Sequence, residues 1–293
     1  MKSFSIIIPT LNRTDFLLNT LKDLTDQVYK PGFEILIIDQ SAKVDEVIKD
    51  FSYKYKNISY YYISHFRGLP EARNYGAKKA KNDYLLYLDD DIRCEKSLLE
   101  QHAKILEKED VGVCAGGITE AYKENQNRTT GKFVWSTATP LRGFHLKGSK
   151  ETDHAGGGNF SVKKEVYREV QGVDEHLTKG AALYEETDFC LRVKKAGHQI
   201  MFNYEAHVTH LAAETGGCRV PDIAKYIYSL SRNRSLIIKR HLPWYYQLTA
   251  HLYLLKLVAA YYKTYKNSKI WANYRSGRKE GSKLGKLKVK NER

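Results

Sequence analysis

The stretch NDYLLYLDDDIRCEKSLLEQH, Asn82 to His102, decides how the rest of the chain is read. Tyr84 to Leu88 form a short, continuous apolar run, as in a strand buried on both faces. Asp89, Asp90 and Asp91 then follow in a row. Adjacent carboxylates raise one another's cost of ionising, so a core strand that ends in three of them needs a reason. The plain reason is a turn, with one Asp capping the next helix and the others solvated. The sharper reason is a divalent cation. Mg²⁺ or Mn²⁺ takes one or two carboxylates and completes its shell with substrate phosphates and water. If strand geometry persists, Asp89 and Asp91 point the same way, because alternate residues share a face.

Upstream, FSIIIPTL (4–11) reads as a strand closed by Pro9. RTDFLLNTLKDL (13–24) sets Leu17, Leu18, Leu21 and Leu24 at helical spacing, with Thr14 as its N-cap. FEILIID (33–39) is a second strand, ending at Asp39. VDEVIKDFSYKY (44–55) looks helical, ISYYYIS (58–64) is a third strand, and GLPEARNYGAKKAKN (68–82) is a loop and helix. Downstream, EKSLLEQHAKIL (95–106) puts Leu98, Leu99, His102, Ile105 and Leu106 on one helical face, and VGVCAGGI (111–118) is a further strand. HAGGGNFSVKKEVYREV (154–170) joins a glycine turn to a strand and helix. LYEETDFCLRVKKAGHQIMFN (183–203) is a helix stopped by Gly197, then a strand. Alternation of this kind predicts an α/β fold with a Rossmann-like, mostly parallel sheet flanked by helices. Ligands of such sheets bind beyond the carboxyl ends of the strands, where Asp39 and Asp89 to Asp91 fall.

The 293 residues suffice for one large domain or a domain with an appendage. Cys94, Cys114, Cys190 and Cys218 are scattered, with no C-x-x-C pair to suggest zinc or a disulfide framework. Ile6 to Ile8 is too short an apolar run for a signal peptide, so the expected location is the cytoplasm. The net charge of +14 is uneven: from Lys263 onward, eleven Lys and Arg face only Glu280 and Glu292. That pattern suggests an anionic partner. No zinc-finger spacing, RNP-like motif or basic recognition helix supports nucleic acid.

Residues 241–271, HLPWYYQLTAHLYLLKLVAAYYKTYKNSKIW, read as one long helix after Pro243. Trp244, Leu248, Leu252, Leu255, Ala259 and Tyr262 recur on one side, with Thr249, Lys256 and Lys263 as a narrow stripe opposite. His251 and Lys256 interrupt any run long enough to span a bilayer. The pattern suits a helix lying in a membrane interface, peripheral at the cytoplasmic face. The plainer reading is a helix packed on the domain, or on a second subunit in a homodimer. The expected division is a main domain at 1–240 and a C-terminal helical appendage at 241–293.

No G-x-G-x-x-G follows the first strand and no G-x-x-x-x-G-K-[ST] occurs, so dinucleotide and P-loop readings lack their fingerprints. Phosphates would have to be held by metal and by basic side chains such as Arg13 and Arg73.

SIIIPTLNR, ILIIDQS, GLPEARNYGAKKAKNDYLLYLDDD, GGGNFSVKKEVYREVQGVDE and YEETDFCLRVKKAG occur in this order and at these intervals. Together they resemble a bacterial, inverting glycosyltransferase of family 2 with the GT-A fold, over roughly Ser3 to Leu211. The resemblance implies a nucleotide-diphosphate sugar donor, usually of uridine, bound by Pro9, Thr10, Asn12 and Arg13, with Asp39 on the base and Arg73 near the nucleotide. It implies that Asp91 ligates Mn²⁺ or Mg²⁺, that Asp89 or Asp90 contacts ribose or metal, and that His210 adds a ligand, although a lone His is as often structural. The glycine turn, with Gly157 and Asn159, would let backbone come close to the donor sugar or acceptor. Glu186 falls where the family has its catalytic base, usually an aspartate, so Glu185 and Asp188 stay in contention. Acids at a helix start also have a simpler cause in the macrodipole. The implied acceptor is a glycan or lipid-linked hydroxyl in surface polysaccharide synthesis. A nucleotidyltransferase and a non-catalytic basic binding protein are the rivals.

Overall fold

A computed structural model describes residues 2–122, 126–213 and 220–291. Strands β1 (Phe4–Thr10), β2 (Phe33–Asp39), β3 (Ile58–Tyr62) and β4 (Tyr84–Leu88) alternate with helices α1 (Thr14–Thr25), α2 (Glu46–Tyr53) and α3 (Leu69–Lys79). Strand β5 (Ile92–Cys94) follows the three acids, then α4 (Leu98–Leu106) and β6 (Val111–Glu120). A hairpin of β7 (Thr130–Val134) and β8 (Thr139–Arg142) leads through β9 (Ser149–Glu151) to β10 (Asn159–Lys163) and α5 (Lys164–Glu169). Helix α6 (Glu185–Lys195) and β11 (Gln199–His210) complete the sheet. Three helices close the chain: α7 (Ile223–His241), α8 (Trp244–Tyr265) and α9 (Lys269–Leu284).

The main sheet runs β3-β2-β1-β4-β10-β6-β11-β5, with β9 beside β11. Strands β1 to β4 are mutually parallel, and β6 is parallel to β11. Strand β10 runs antiparallel between β4 and β6. This insertion has a consequence for chemistry. The amino end of β10, where the glycine turn sits, meets the carboxyl end of β4, with Asn159 opposite Leu88. Thr10 pairs with Asp39, and His210 with Glu120, so these polar strand ends open on the same edge as the acids beyond β4.

Hydrophobic clusters fill both faces of this sheet. One joins Leu17, Leu21 and Leu24 of α1 to Leu98, Leu99, Ala103 and Leu106 of α4. The other packs Ala72 and Ala77 of α3 against Phe160, Phe189 and Val193. A third cluster ties α7, α8 and α9 to Phe133, Ala138 and Leu191. Cys94, Cys114 and Cys190 are free thiols, and Cys218 lies outside the described residues.

The C-terminus departs from the single long helix expected. The helix stops at Lys266, in the left-handed region with φ +47°, and Lys269 starts a new one. The basic end is therefore largely helical. Gly277, Gly281 and Gly285 of α9 press on α7, where a Cβ at Gly281 would come 1.9 Å from Arg232 O. A glycine every fourth residue makes a smooth stripe that lets the two backbones touch. Beyond α9 the chain returns to the core: Lys290 N donates to Asp174 Oδ1 at 3.0 Å. A boundary at 240/241 would fall one residue inside α7 and would part it from α9, which packs on it.

Candidate active site

The strand ends enclose a cleft of about 730 Å³, lined by Pro9, Thr10, Arg13, Gln40, Asp89 to Asp91, Arg142, Lys179 and His210 among others. A smaller cavity of about 200 Å³ adjoins it and shares Asp89, Arg142 and His210, adding Glu120 and the turn Gly156 to Gly158.

The three aspartates have different tasks. Asp90 is consumed by the fold: Thr10 Oγ1 donates to it at 2.7 Å and Arg13 at 2.8 Å. Burial nevertheless pushes its pKa up to about 6. Asp91 is almost fully buried and receives Ala213 N on Oδ2 at 2.9 Å. Burial opposes its ionisation, but His210, Arg13 and that amide outweigh it and lower its pKa. Asp89 is partly exposed at the mouth of the cleft.

The pairing of β11 with β5 sets His210 opposite Ile92, and so beside Asp91. Its Nε2 stands 3.1 Å from Asp91 Oδ1 and 3.9 Å from Asp89 Oδ2, while Nδ1 stands 2.8 Å from Glu120 Oε2. Burial works against a charge on His210, yet Asp91 and Glu120 raise its pKa to about 10.

One ligand atom from each of Asp89, Asp91 and His210 lies within 4.8 Å of the others. Asp91 Oδ1 is buried and, among the described residues, accepts no aligned hydrogen bond. An orphaned oxygen facing an imidazole and a second carboxylate is a donor set that fits a divalent cation such as Mn²⁺. Glu120 behind Nδ1 is the outer carboxylate that commonly orients a ligating histidine.

The acids of α6 also divide. Glu185 pairs with the buried Arg73, which donates as well to Gly157 O at 2.6 Å. Burial and Glu186 push the Glu185 pKa up, and Arg73 holds against them. Asp188 is fully buried and bonded by Arg192 at 2.8 Å, Arg240 at 2.9 Å and His241 at 2.8 Å. These partners, Arg192 foremost, depress its pKa despite burial, and it does not line the cleft. Glu186 accepts from Arg142 at 2.5 Å, and Arg142 is half exposed and lines both cavities.

The glycine turn joins the two groups of acids. A Cβ at Gly158 would come 2.6 Å from Asp89 Oδ2, so only glycine leaves Asp89 in place. A Cβ at Gly157 would instead meet Arg73, Glu185 and Glu186, at 3.5, 3.6 and 3.7 Å.

Several residues named from sequence are not among those that line the cleft. Arg73 points at Glu185 and stacks over Phe160, away from the cleft lining. Asn159 is fully buried and spends its side chain on Gly117 O, Ala206 O and His102. Asp39 is buried at the end of β2, accepting from Tyr60 Oη at 2.5 Å and Ser41 N at 2.8 Å. Asn12 is exposed beside it, with φ +56°. Pro9, Thr10 and Arg13 do line the cleft. Sequence reasoning missed Arg142, Glu120 and Gly158. Glu120 had a signal, an acid ending a buried strand as Asp39 does. Arg142 had none, being on a short peripheral hairpin.

A model of glycosyl transferase family 2 matches residues 5–171, more than half of the chain. The chain belongs to glycosyl transferase family 2. A glucosyl-dolichyl phosphate glucuronosyltransferase of Haloferax volcanii is 22% identical over 216 residues, covering 70% of this chain and 68% of that protein. The structure of S. aureus TarS 1-349 in complex with UDP-GlcNAc superposes with a TM-score of 0.68 at 13% identity, covering 94% of this chain and 79% of that one. GalNAc-T7 with UDP, GalNAc and Mn²⁺ gives 0.61 at 16% identity, covering 79% of this chain and 49% of that one. The likeness to the two structures establishes the GT-A fold expected from the sequence. The family makes this chain a glycosyltransferase that uses nucleotide-sugar donors.

Proposed function

We propose that this enzyme is an inverting, metal-dependent glycosyltransferase. It moves a sugar from a nucleoside-diphosphate donor, uridine being the favoured base, to a hydroxyl of a glycan or lipid-linked acceptor at the cytoplasmic face of a membrane. The carrying observation is the pair of acidic groups on either side of the glycine turn. Asp89, Asp91 and His210 line the cleft on one side, and on the other Glu186 is buried behind Arg142, which lines it. TarS and GalNAc-T7 hold uridine nucleotides in this fold, and the dolichyl-phosphate acceptor of the Haloferax relative supports a lipid-linked one.

Asp89, Asp91 and His210 would hold the cation, which supplies positive charge against the departing diphosphate. Arg13 and Lys179 add charge along the donor's phosphates. Glu186 takes the proton of the acceptor hydroxyl as its oxygen bonds to the anomeric carbon. The bond from that carbon to the diphosphate breaks on the opposite face, and its electron pair leaves with the nucleotide. Glu185 stays paired with Arg73 and fixes the start of α6, while Arg142 orients Glu186. Asp188 anchors the helix and takes no part in proton transfer.

The test is calorimetry with UDP, GDP and TDP, each with and without Mn²⁺, on the enzyme and on Asp91→Ala. Tight UDP binding that needs both Mn²⁺ and Asp91 is expected. Equal binding by Asp91→Ala, or binding indifferent to metal, would overturn the reading.

A further inference from the structure

Helix α8 is attached by a narrow seam. Ala250, Leu254 and Val258 are its buried residues. Trp244 is 80% exposed, Leu248 65% and Leu252 57%. At about 100° per residue, these three share one sector with Leu255, Ala259 and Tyr262, turned away from the seam. The apolar side read from the sequence is thus the side the fold leaves uncovered. Its order is also informative. Leucines occupy the middle of the exposed sector, and aromatic rings stand at both ends, Trp244 and Tyr245 at one and Tyr262 and Tyr265 at the other. Exposed large apolar residues are ordinary when scattered singly; a contiguous face marks an interaction surface.

Charge decides what covers it. Residues 223–279 contain twelve Lys and Arg and no Asp or Glu. Lys256, Lys263, Lys266 and Lys269, along and just beyond α8, are all exposed. A second copy docked face to face would set these like charges against one another. Anionic headgroups would complement them, with aromatic rings at headgroup level and leucines among the acyl chains. Among the described residues no helix is long and apolar enough to cross a membrane.

We propose that the exposed face of α8 lies in the interface of a bilayer containing anionic phospholipid. The same helix reaches the active site. Thr249 Oγ1 donates to Ser136 O at 2.7 Å, and Arg234, over the Tyr253 ring, donates to Thr137 O at 2.5 Å. Both carbonyls belong to the turn between β7 and β8, and β8 carries Arg142 to Glu186. The bilayer therefore sits at the acceptor end of the cleft, where a hydroxyl borne on a lipid arrives. This last step rests on the proposed function; the membrane contact does not.

The experiment is flotation of the full chain with phosphatidylcholine vesicles, with and without phosphatidylglycerol, reading indole emission alongside. Binding that requires phosphatidylglycerol, with a blue shift, is expected. Leu248→Glu with Leu252→Glu should abolish flotation. Lys256→Gln with Lys263→Gln should weaken it by about fivefold per lysine. Both variants should keep the circular dichroism and UDP affinity of the parent, and failure of the parent itself to bind UDP would count against the donor site alone. Absence of flotation at low salt overturns the proposal. So does a dimer in sedimentation velocity that the leucine variant dissociates, without vesicle binding, for then a second copy covers the face.

Discussion

The acids beyond β4 and the acids opening α6 look alike in sequence and were divided in the same way by the fold. Each region holds three carboxylates within four residues. In each, neighbouring side chains engage the acids unequally: all three aspartates line the cleft, whereas the acids of α6 are buried and meet it only through Arg142. Asp90 goes to Thr10 and Arg13, while Asp89 and Asp91 face His210. Asp188 goes to Arg192, Arg240 and His241, Glu185 goes to Arg73, and Glu186 meets the half-exposed Arg142. The regions differ in what surrounds the free acids. At the strand end an imidazole and an orphaned oxygen converge on one point, as a cation requires. At the helix start Glu185 and Glu186 flank Gly157, each beside an arginine, and among the described residues no metal-ligating group forms there.

Substitutions can break this comparison. Glu186→Gln should have the largest effect, lowering turnover by about 10²–10⁴-fold while leaving UDP binding unchanged. Glu185→Gln supplies the contrast. If it lowers turnover as much while the protein keeps its melting temperature, the two glutamates have been assigned in the wrong order. Asp91→Asn should cost about 10²–10³-fold in turnover and abolish the response to Mn²⁺, whereas Asp90→Asn should keep that response. A metal titration of the two variants separates them.

Asp188→Asn tests the anchoring role. It leaves Arg192, Arg240 and His241 around an uncharged amide, which should cost about 3–5 kcal/mol of stability by denaturant unfolding. Turnover per folded molecule should change little, and a loss comparable to Glu186→Gln would return Asp188 to the chemistry.

The smallest effect concerns the polar layer beneath the cleft. His102 is fully buried between Asn159 and Ser161, and burial lowers its pKa to about 4. The folded protein keeps this ring neutral, while the unfolded chain protonates it below about 6.5. Its stabilisation is therefore complete above the unfolded pKa and is lost as pH falls towards 4. Between pH 7 and pH 5 the loss is roughly 2 kcal/mol. Urea unfolding at the two values measures it, and His102→Gln should flatten the difference. An equal slope in the variant would assign it to other groups.

Much of the fold was legible because its signals are local. Continuous apolar runs marked β1, β2, β4 and β6, and helical spacing marked the buried faces of α1 and α4. The third strand was legible too, though its tyrosines are only half-buried at the sheet edge. The strands β5, β8 and β9 carry too few residues for periodicity to register, and β7, as long as β4, has no continuous apolar run. Arg73 and Asn159 were placed near the donor because they sit within recognisable motifs. Their directions depend on Glu185 and His102, which are far away in sequence.

By itself the sequence determined the family, the alternation of strands and helices, and the positions where acids and glycines fall. Those features depend on neighbours within one element, where the spacing of apolar residues dictates which side is buried. The tertiary structure decided the rest. It inserted β10 antiparallel between β4 and β6, which brought Gly158 against Asp89. It carried His210 to Asp91 from more than a hundred residues away, and it laid α9 on α7 so that α8 kept its apolar face uncovered. Each is a contact between distant segments, made favourable only by packing that forms once the whole sheet is assembled.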